Sequence, residues 1–145
     1  ITIDVAYRYF STSERSFILA DCPGHVQYTL NMVTGAATAD AVVVLIDARK
    51  GVLEQTRRHL SVVALLRVPN VIVAINKIDL VDFSETVYNE ILEQLKQVTA
   101  ELGLERVHAI PVSALEGDNV VERSTKTPWY AGPTVIELTS GAGMF

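Results

Sequence analysis

The sequence predicts an α/β fold with a mostly parallel sheet. Two continuous apolar runs, residues 41–46 and 71–75, have the length and the valine and isoleucine content of strands that are covered on both faces. Apolar residues in the segments after these runs recur every three or four positions, which indicates helices with one buried face. Strands and helices that alternate in this way build a parallel sheet, and such sheets bind ligands at the carboxyl ends of their strands.

The first forty residues predict an antiparallel hairpin followed by a helix. Apolar and polar residues alternate over residues 1–10, and residues 17–20 form a second short strand after a polar turn. A helix is expected to begin after Pro23-Gly24 and to reach about Thr34. Gly35 follows, and glycine commonly ends helices.

The middle of the chain predicts two helices and a further strand. Residues 54–66 have helical spacing of their apolar side chains. Ser84 is expected to cap a longer helix, whose apolar face runs from Val87 to Leu102. Val107–Pro111 then predicts another strand of the sheet, shortened by its proline.

The length of 145 residues predicts one domain with a substantial core. We assign residues 1–140 to this domain. Its last helix is expected to begin within residues 133–140, with Pro133 in the first turn. Residues 141–145 show no pattern and are interpreted as a tail.

Composition excludes several classes of function. Seventeen acidic residues against twelve basic ones give a net charge of −5, which argues against a nucleic-acid-binding surface. No apolar run approaches the roughly 20 residues that cross a bilayer, so no membrane association is expected. Cys22 is the single cysteine, which excludes an internal disulfide and fits a reducing cytoplasm.

The residues at the end of the second strand have the chemistry of a phosphate and magnesium site. They are Asp21, Cys22, Pro23, Gly24 and His25. An aspartate carboxylate suits Mg²⁺, which prefers oxygen ligands, and Gly24 allows a backbone N–H to approach a terminal phosphate closely. A plain strand-turn-helix junction with a capping aspartate has the same residue types, so the motif alone leaves both interpretations open.

Four residues after the strand at 71–75 match the hydrogen-bonding groups of guanine. They are Asn76, Lys77, Ile78 and Asp79. A carboxylate accepts hydrogen bonds from N1–H and N2–H₂ of guanine, whereas adenine has no such pair of donors. Asn76 can bond the base and join neighbouring loops, and the stem of Lys77 can lie along the flat face of the base. A solvated turn is the alternative for four such residues alone.

A third short motif follows the strand Val107–Pro111. It consists of Ser113, Ala114 and Leu115, whose expected contact is a backbone N–H on the guanine O6. Taken alone this motif is weak. The three motifs all follow strands, however, and occur in the order phosphate site, base-reading loop and base-supporting loop. In this order the sequence resembles the GTPase superfamily, which implies a P-loop NTPase-type fold with GTP and Mg²⁺ as ligands.

Further segments resemble the translation-factor GTPases, and the resemblance covers about residues 1–139. The opening Ile1-Thr2-Ile3-Asp4 is similar to the end of their switch I, which implies that Thr2 binds Mg²⁺ together with Asp21. The segment from His25 to Ala36 is similar to their switch II. The resemblance implies that His25 positions the attacking water. His59 and His108 match no such position and are interpreted as structural.

Three segments resemble the GTP-binding large subunits of sulfate adenylyltransferases. They are residues 47–59, 114–120 and 128–134. The resemblance implies a protein that couples GTP hydrolysis to the formation of adenosine 5′-phosphosulfate from ATP and sulfate. Its partner would be a small catalytic subunit, in a heterodimer or higher assembly. An elongation-factor GTPase domain and a non-catalytic binding fragment are the alternatives.

The phosphate-gripping part of such a GTPase does not occur in this sequence. The family begins with a strand, a Gly-x-x-x-x-Gly-Lys-Ser/Thr loop and a helix, and no segment of the chain matches that loop. In the family that first strand lies inside the sheet, and its absence would leave backbone groups unpaired. We therefore expect a partial GTP-binding domain, lacking its first strand and phosphate loop, with poor GTP binding and low stability on its own.

Overall fold

The computed structural model describes residues 6–11, 16–21 and 41–139, and for the first two of these segments it describes the backbone. The expected helix that ends near Thr34 and the tail at residues 141–145 lie outside the described residues.

The two amino-terminal strands form an antiparallel hairpin, as the alternation of residues predicts. Strand β1 is Ala6–Ser11 and strand β2 is Ser16–Asp21. Ala6 pairs with Asp21 at one end of the hairpin, and Ser11 pairs with Ser16 at the other. Asp21 is therefore the last residue of its strand, which is where the sequence puts it.

Three parallel strands form the main sheet. They are β3 (Ala41–Asp47), β4 (Asn70–Asn76) and β5 (Val107–Pro111), in the order β3-β4-β5. Each run is rich in apolar residues, and the valines and isoleucines among them pack well on a pleated surface. In the register of the sheet Asp47 lies beside Asn76. The polar residues that follow the strands consequently emerge at one edge of the sheet, as expected for a parallel sheet.

Helices cover both faces of this sheet. Helix α1 is Glu54–Leu65, α2 is Glu85–Leu102 and α3 is Val135–Thr139. The predicted cap of α2 is confirmed, because the Ser84 hydroxyl accepts a hydrogen bond of 3.2 Å from the backbone N–H of Val87. Within the described ranges no helix is long and apolar enough to cross a membrane.

The start of α3 differs from the prediction that Pro133 occupies its first turn. The helix begins at Val135, and Thr134 precedes it as a cap. The Thr134 hydroxyl accepts from the N–H of Glu137, and the Glu137 carboxylate accepts from the N–H of Thr134, both at 3.2 Å. Because this reciprocal pair satisfies two backbone donors, it fixes the helix start at the second residue after the proline.

The core divides into two clusters on opposite faces of β4. Alternate residues of this strand point to opposite faces, and all five from Val71 to Ile75 are buried. One cluster joins Val71, Val73 and Ile75 to buried side chains of α1 and α2. The other joins Ile72 and Ala74 to residues of β5 and α3. The central strand thus has the two-sided burial that its continuous apolar run predicts.

The prediction that residues 41–46 are covered on both faces is wrong for β3. Val44 and Ile46 are buried against the helices, but Val43 is 43% exposed and Leu45 is 66% exposed. The reason is that, among the described residues, the cluster on this face of the sheet does not extend over β3. The second cluster lies over β4 and β5 and does not include Val43 or Leu45.

Candidate functional site

The amide of Asn76 joins the loops that follow β4 and β5. Its side-chain oxygen accepts a hydrogen bond from the backbone N–H of Ala114 at 3.0 Å and another from that of Lys77 at 2.8 Å. Asn76 and Ala114 are far apart in the sequence, and the parallel pairing of β4 with β5 brings their loops to the same edge. One side chain therefore fixes the relative position of two of the motifs found in the sequence.

Lys77 has a strained backbone that its neighbours hold in place. Its φ of 62° and ψ of 31° lie in the left-handed region, which costs about 1–2 kcal/mol for a residue with a side chain. Such conformations persist where the surroundings over-determine them, often at functional sites. Besides the hydrogen bond between its backbone N–H and Asn76, the Lys77 ammonium lies 3.4 Å from a carboxylate oxygen of Asp47 at the end of β3.

Asp47 is the centre of a small charged cluster with Arg49 and Lys77, and neither Asp47 nor Arg49 is among the predicted site residues. Arg49 contacts both of its carboxylate oxygens, with Nε 3.1 Å from Oδ1 and Nη2 2.8 Å from Oδ2. The backbone N–H of Arg49 donates to Oδ1 as well, at 2.9 Å. Hydrogen bonds from Arg49 hold the pKa of Asp47 well below its usual range. Its place at the end of a strand, beside the strand that ends at Asn76, is the signal that could have identified it.

Asp79 lies on a short 3-10 helix, Ile78–Val81, that the sequence did not predict. Ile78 is fully buried, and its backbone N–H donates to the carbonyl of Val112 at 3.2 Å. The backbone N–H of Leu80 donates to the carbonyl of Lys77 at 2.9 Å. The first of these bonds ties the segment predicted to read the base to the end of β5. Asp79 itself is half-buried.

The third motif forms a tight loop directly after β5. Ser113 is fully buried, and its hydroxyl accepts a hydrogen bond from the backbone N–H of Glu116 at 3.2 Å. Its carbonyl accepts from the N–H of Gly117 at 2.7 Å. Ala114 and Leu115 are exposed, Leu115 to 90%. The loop thus presents its small and apolar residues to the surface, while Ser113 anchors it.

A buried asparagine organises the long connection between β5 and α3. The Asn119 amide donates to the carbonyl of Pro111 and to the hydroxyl of Thr127, both at 2.9 Å. Its oxygen accepts from the backbone N–H of Ser124 at 2.8 Å. Its φ of 59° is left-handed, a conformation that asparagine tolerates better than most residues. Through these hydrogen bonds Asn119 fixes the end of β5 relative to the connection that follows the Ser113 loop.

Aromatic residues attach the same connection to α2. The rings of Tyr88 and Trp129 lie 5.0 Å apart, and the Trp129 indole N–H donates to the carbonyl of Phe83 at 3.2 Å. Burial raises the pKa of Tyr88 to about 12. The connection is therefore held at its far end by rings that pack against the start of α2.

His108 belongs to the same packing, in line with its structural interpretation. The Tyr130 hydroxyl donates to the carbonyl of Pro133, so its oxygen accepts from Nε2 of His108 at 3.3 Å. Burial lowers the pKa of His108, which favours the neutral ring. A neutral, half-buried imidazole on β5 fits a packing role better than a catalytic one.

The phosphate side of the predicted site is largely outside the described residues. Asp21 is described as the last backbone position of β2. Thr2 and the segment from Cys22 to His25 lie outside, so the roles of these residues stay predictions. In the segments that are described, no three His, Cys, Asp or Glu side chains form a group that could hold a metal ion.

Two curated proteins are similar to this chain in sequence. Sulfate adenylyltransferase subunit 1 of Sulfurovum sp. (strain NBC37-1) is 60% identical over 138 residues, and that of Bacteroides fragilis (strain YCH46) is 57% identical over 138 residues. In both cases the match covers 95% of this chain and 29% of the relative. The chain therefore spans less than a third of the length of these curated relatives.

A solved structure and a family model are also similar to this chain. The crystal structure of sup35 complexed with GMPPNP has a TM-score of 0.73 and 33% identity, and the match covers 92% of this chain and 34% of that one. Residues 1–138 match the family described as the elongation factor Tu GTP binding domain. Because this match covers nearly the whole chain, the chain belongs to the family of elongation factor Tu GTP-binding domains.

Proposed function

We propose that the edge of the sheet formed by the loops after β4 and β5 binds the guanine base of GTP. The observation that carries the proposal is the hydrogen bond from the Ala114 backbone to the Asn76 side chain. It joins the residues proposed to read the base, Asn76, Lys77, Ile78 and Asp79, to those proposed to support it, Ser113, Ala114 and Leu115. Two loops held in this way form a preorganised edge for a flat ligand.

Asp79 is the residue proposed to select guanine. Its carboxylate accepts from N1–H and N2–H₂ of the base, while a backbone N–H of residues 113–115 donates to O6. The stem of Lys77 lies along the face of the purine. Adenine offers one acceptor where guanine has the N1–H donor, so its binding would leave the half-buried Asp79 carboxylate unpaired.

The phosphate side is proposed from the sequence motifs. Asp21, Cys22, Pro23 and Gly24 line the γ-phosphate. Thr2 and Asp21 provide a hydroxyl and a carboxylate, the oxygen ligands that suit Mg²⁺, and the bound ion would neutralise phosphate charge. His25 is the proposed catalytic residue and positions the attacking water.

The full-length protein is proposed to be the GTP-binding subunit of a sulfate adenylyltransferase. It couples GTP hydrolysis to the transfer of adenylyl from ATP to sulfate, which gives adenosine 5′-phosphosulfate for sulfate assimilation. The high identity to two proteins named sulfate adenylyltransferase subunit 1 supports this assignment. A separate small subunit carries out the adenylyl transfer, and the assembly works in the cytoplasm, where Cys22 would stay reduced.

The first test replaces the proposed base-reading carboxylate. In the full-length protein, Asp79→Asn should weaken GDP binding by at least about a hundredfold, because the amide has no charge and sets an NH₂ donor against one of the two guanine donors. The same variant should gain affinity for xanthosine diphosphate, whose C2 oxygen can accept from the new amide. Asp82→Asn, three residues along the same turn, is the matched control and should bind GDP like the wild type. An Asp79→Asn variant that binds GDP as tightly as the wild type and gains no affinity for xanthosine diphosphate would contradict the assignment.

The second test separates binding from hydrolysis. His25→Ala should lower the GTP hydrolysis rate by at least about a hundredfold, the lower end of the usual range for a general-base residue, while the GTP affinity stays within about twofold. Parallel loss of both would show that His25 holds the fold or the nucleotide instead. Nucleotide binding without any hydrolysis in the wild type would favour a non-catalytic binding role.

The third test concerns the overall reaction. The full-length protein, mixed with the small adenylyltransferase subunit, ATP and sulfate, should form more adenosine 5′-phosphosulfate when GTP is present than when it is absent. A hydrolysis rate that responds to aminoacyl-tRNA and not to the small subunit would favour an elongation factor.

A further inference from the structure

Lys77 of the proposed base site forms a charged cluster with Asp47 and Arg49. Asp47 and Arg49 have no role in the motifs that define that site. Asp47 ends β3 and Lys77 follows the end of β4, so the two side chains come from neighbouring strands. The backbone N–H of Ala48 donates to the carbonyl of Asn76 at 2.8 Å, which extends the pairing of the strands past Asp47. The position of Asp47 relative to Lys77 is thus set by the sheet.

Arg49 holds the Asp47 carboxylate in one orientation. Three donors of this arginine contact the carboxylate, two from the guanidinium and one from the backbone. A planar guanidinium fork that contacts both oxygens restricts rotation of the carboxylate. The carbonyl of Asp47 also accepts from the N–H groups of Lys50 and Gly51, at 3.0 and 2.9 Å, so its backbone is fixed too.

The fixed carboxylate leaves Oδ2 facing the Lys77 ammonium at 3.4 Å. The lysine side chain is 46% exposed, whereas that of Asp47 is 18% exposed. A free lysine side chain on such a surface would sample many rotamers, and ordering it on ligand binding costs free energy. Anchoring the ammonium before the ligand arrives removes part of that cost.

We propose that Asp47, oriented by Arg49, is a positioning residue that holds the aliphatic stem of Lys77 in place against the purine base. This inference rests on the proposed function of the same site and adds a residue pair to it. Asp47 touches neither the base nor the phosphates in this arrangement, and it acts through Lys77. The carboxylate therefore contributes to affinity for the base while leaving the choice between guanine and xanthine to Asp79.

The test is a double-mutant cycle on GDP dissociation in the full-length protein. Asp47→Asn should weaken GDP binding about fivefold, which corresponds to the ~1 kcal/mol upper range of a partly exposed ion pair. In a Lys77→Ala background the same substitution should change the affinity by less than about 1.5-fold, because the group it positions is gone. Arg57→Gln, which removes an exposed ion pair with Glu101 on the helices, is the matched control and should leave GDP binding unchanged.

The cycle distinguishes positioning from a general structural role. If Asp47→Asn weakens GDP binding equally with and without Lys77, or lowers the melting temperature without changing the affinity, the inference is wrong. If the wild type binds GDP and Asp79→Asn changes the preference to xanthosine diphosphate, but Asp47→Asn has no effect on GDP affinity, the inference is wrong and the proposed function stands. A wild type that binds no guanine nucleotide overturns the proposed function and the inference together.

Discussion

Asn119 shows how much of the candidate site depends on one buried side chain. Its amide satisfies a strand carbonyl, a threonine hydroxyl and a backbone N–H at once, and the residue is fully buried. These partners lie at the end of β5 and at two separate points of the connection from β5 to α3. Because buried polar groups are costly when unpaired, the conformation of the whole connection is linked to this residue.

Replacing the Asn119 amide by a carboxylate should destabilise the domain strongly. Asn119→Asp keeps the shape, the oxygen that accepts from Ser124 and the tolerance of a positive φ, but it loses the donor to Pro111 and Thr127. We expect a loss of about 2–4 kcal/mol in urea unfolding, since a buried carbonyl loses its donor and faces a buried charge. Asn89→Asp on α2, exposed in the structure, is the matched control and should change the stability by less than about 0.5 kcal/mol.

An Asn119→Asp variant as stable as the wild type would show that other contacts hold the connection between β5 and α3. If Asn119→Asp unfolds like the wild type, the aromatic contacts of Tyr88 and Trp129 hold the connection without the asparagine.

At the scale of single elements, local sequence signals predicted the helices and strands well, and tertiary contacts decided the rest. The cap at Ser84 and the strand Val107–Pro111 follow from nearest neighbours in the sequence, and both are present in the structure. The strained Lys77 and the exposed Leu45 depend on what lies beside them in space. Asp47 is absent from the predicted site residues for the same reason, because its ion pair with Lys77 forms across two neighbouring strands.

The cap of α2 allows a prediction at this scale. Ser84→Ala removes the acceptor for the Val87 N–H and should destabilise the domain by about 1 kcal/mol, because a backbone donor in the first turn loses its partner. Hydrogen exchange should accelerate first in the amino-terminal turn of α2. Ser61→Ala is the matched control, because its hydroxyl bonds to the carbonyl of Arg57 within α1, and it should be neutral or slightly stabilising. Equal effects of the two substitutions would show that the cap contributes nothing specific.

At the scale of the whole molecule, β4 is the strand on which both core clusters depend. Ile75 points into the cluster beneath α1 and α2, and Ile72 points into the cluster beneath α3. Both side chains are fully buried. The same strand ends at Asn76, so the packing of both clusters determines where the residues proposed to read the base emerge.

If the two clusters form one cooperative unit, Ile72→Ala and Ile75→Ala should each lower the stability of the GTP-binding domain by about 2–5 kcal/mol in urea unfolding. The double variant should lose the sum to within about 0.5 kcal/mol, because the two side chains occupy opposite faces and share no cavity. Leu65→Ala on α1 is the control, since this leucine is 83% exposed and its loss should cost less than about 0.5 kcal/mol. A large loss for Ile75→Ala with none for Ile72→Ala would mean that the α3 side packs loosely and can separate. The loop that carries the third motif would then be positioned by the hydrogen bonds of Asn76 and Asn119 without help from α3. Base binding would in that case tolerate changes in α3 that a single cooperative core does not allow.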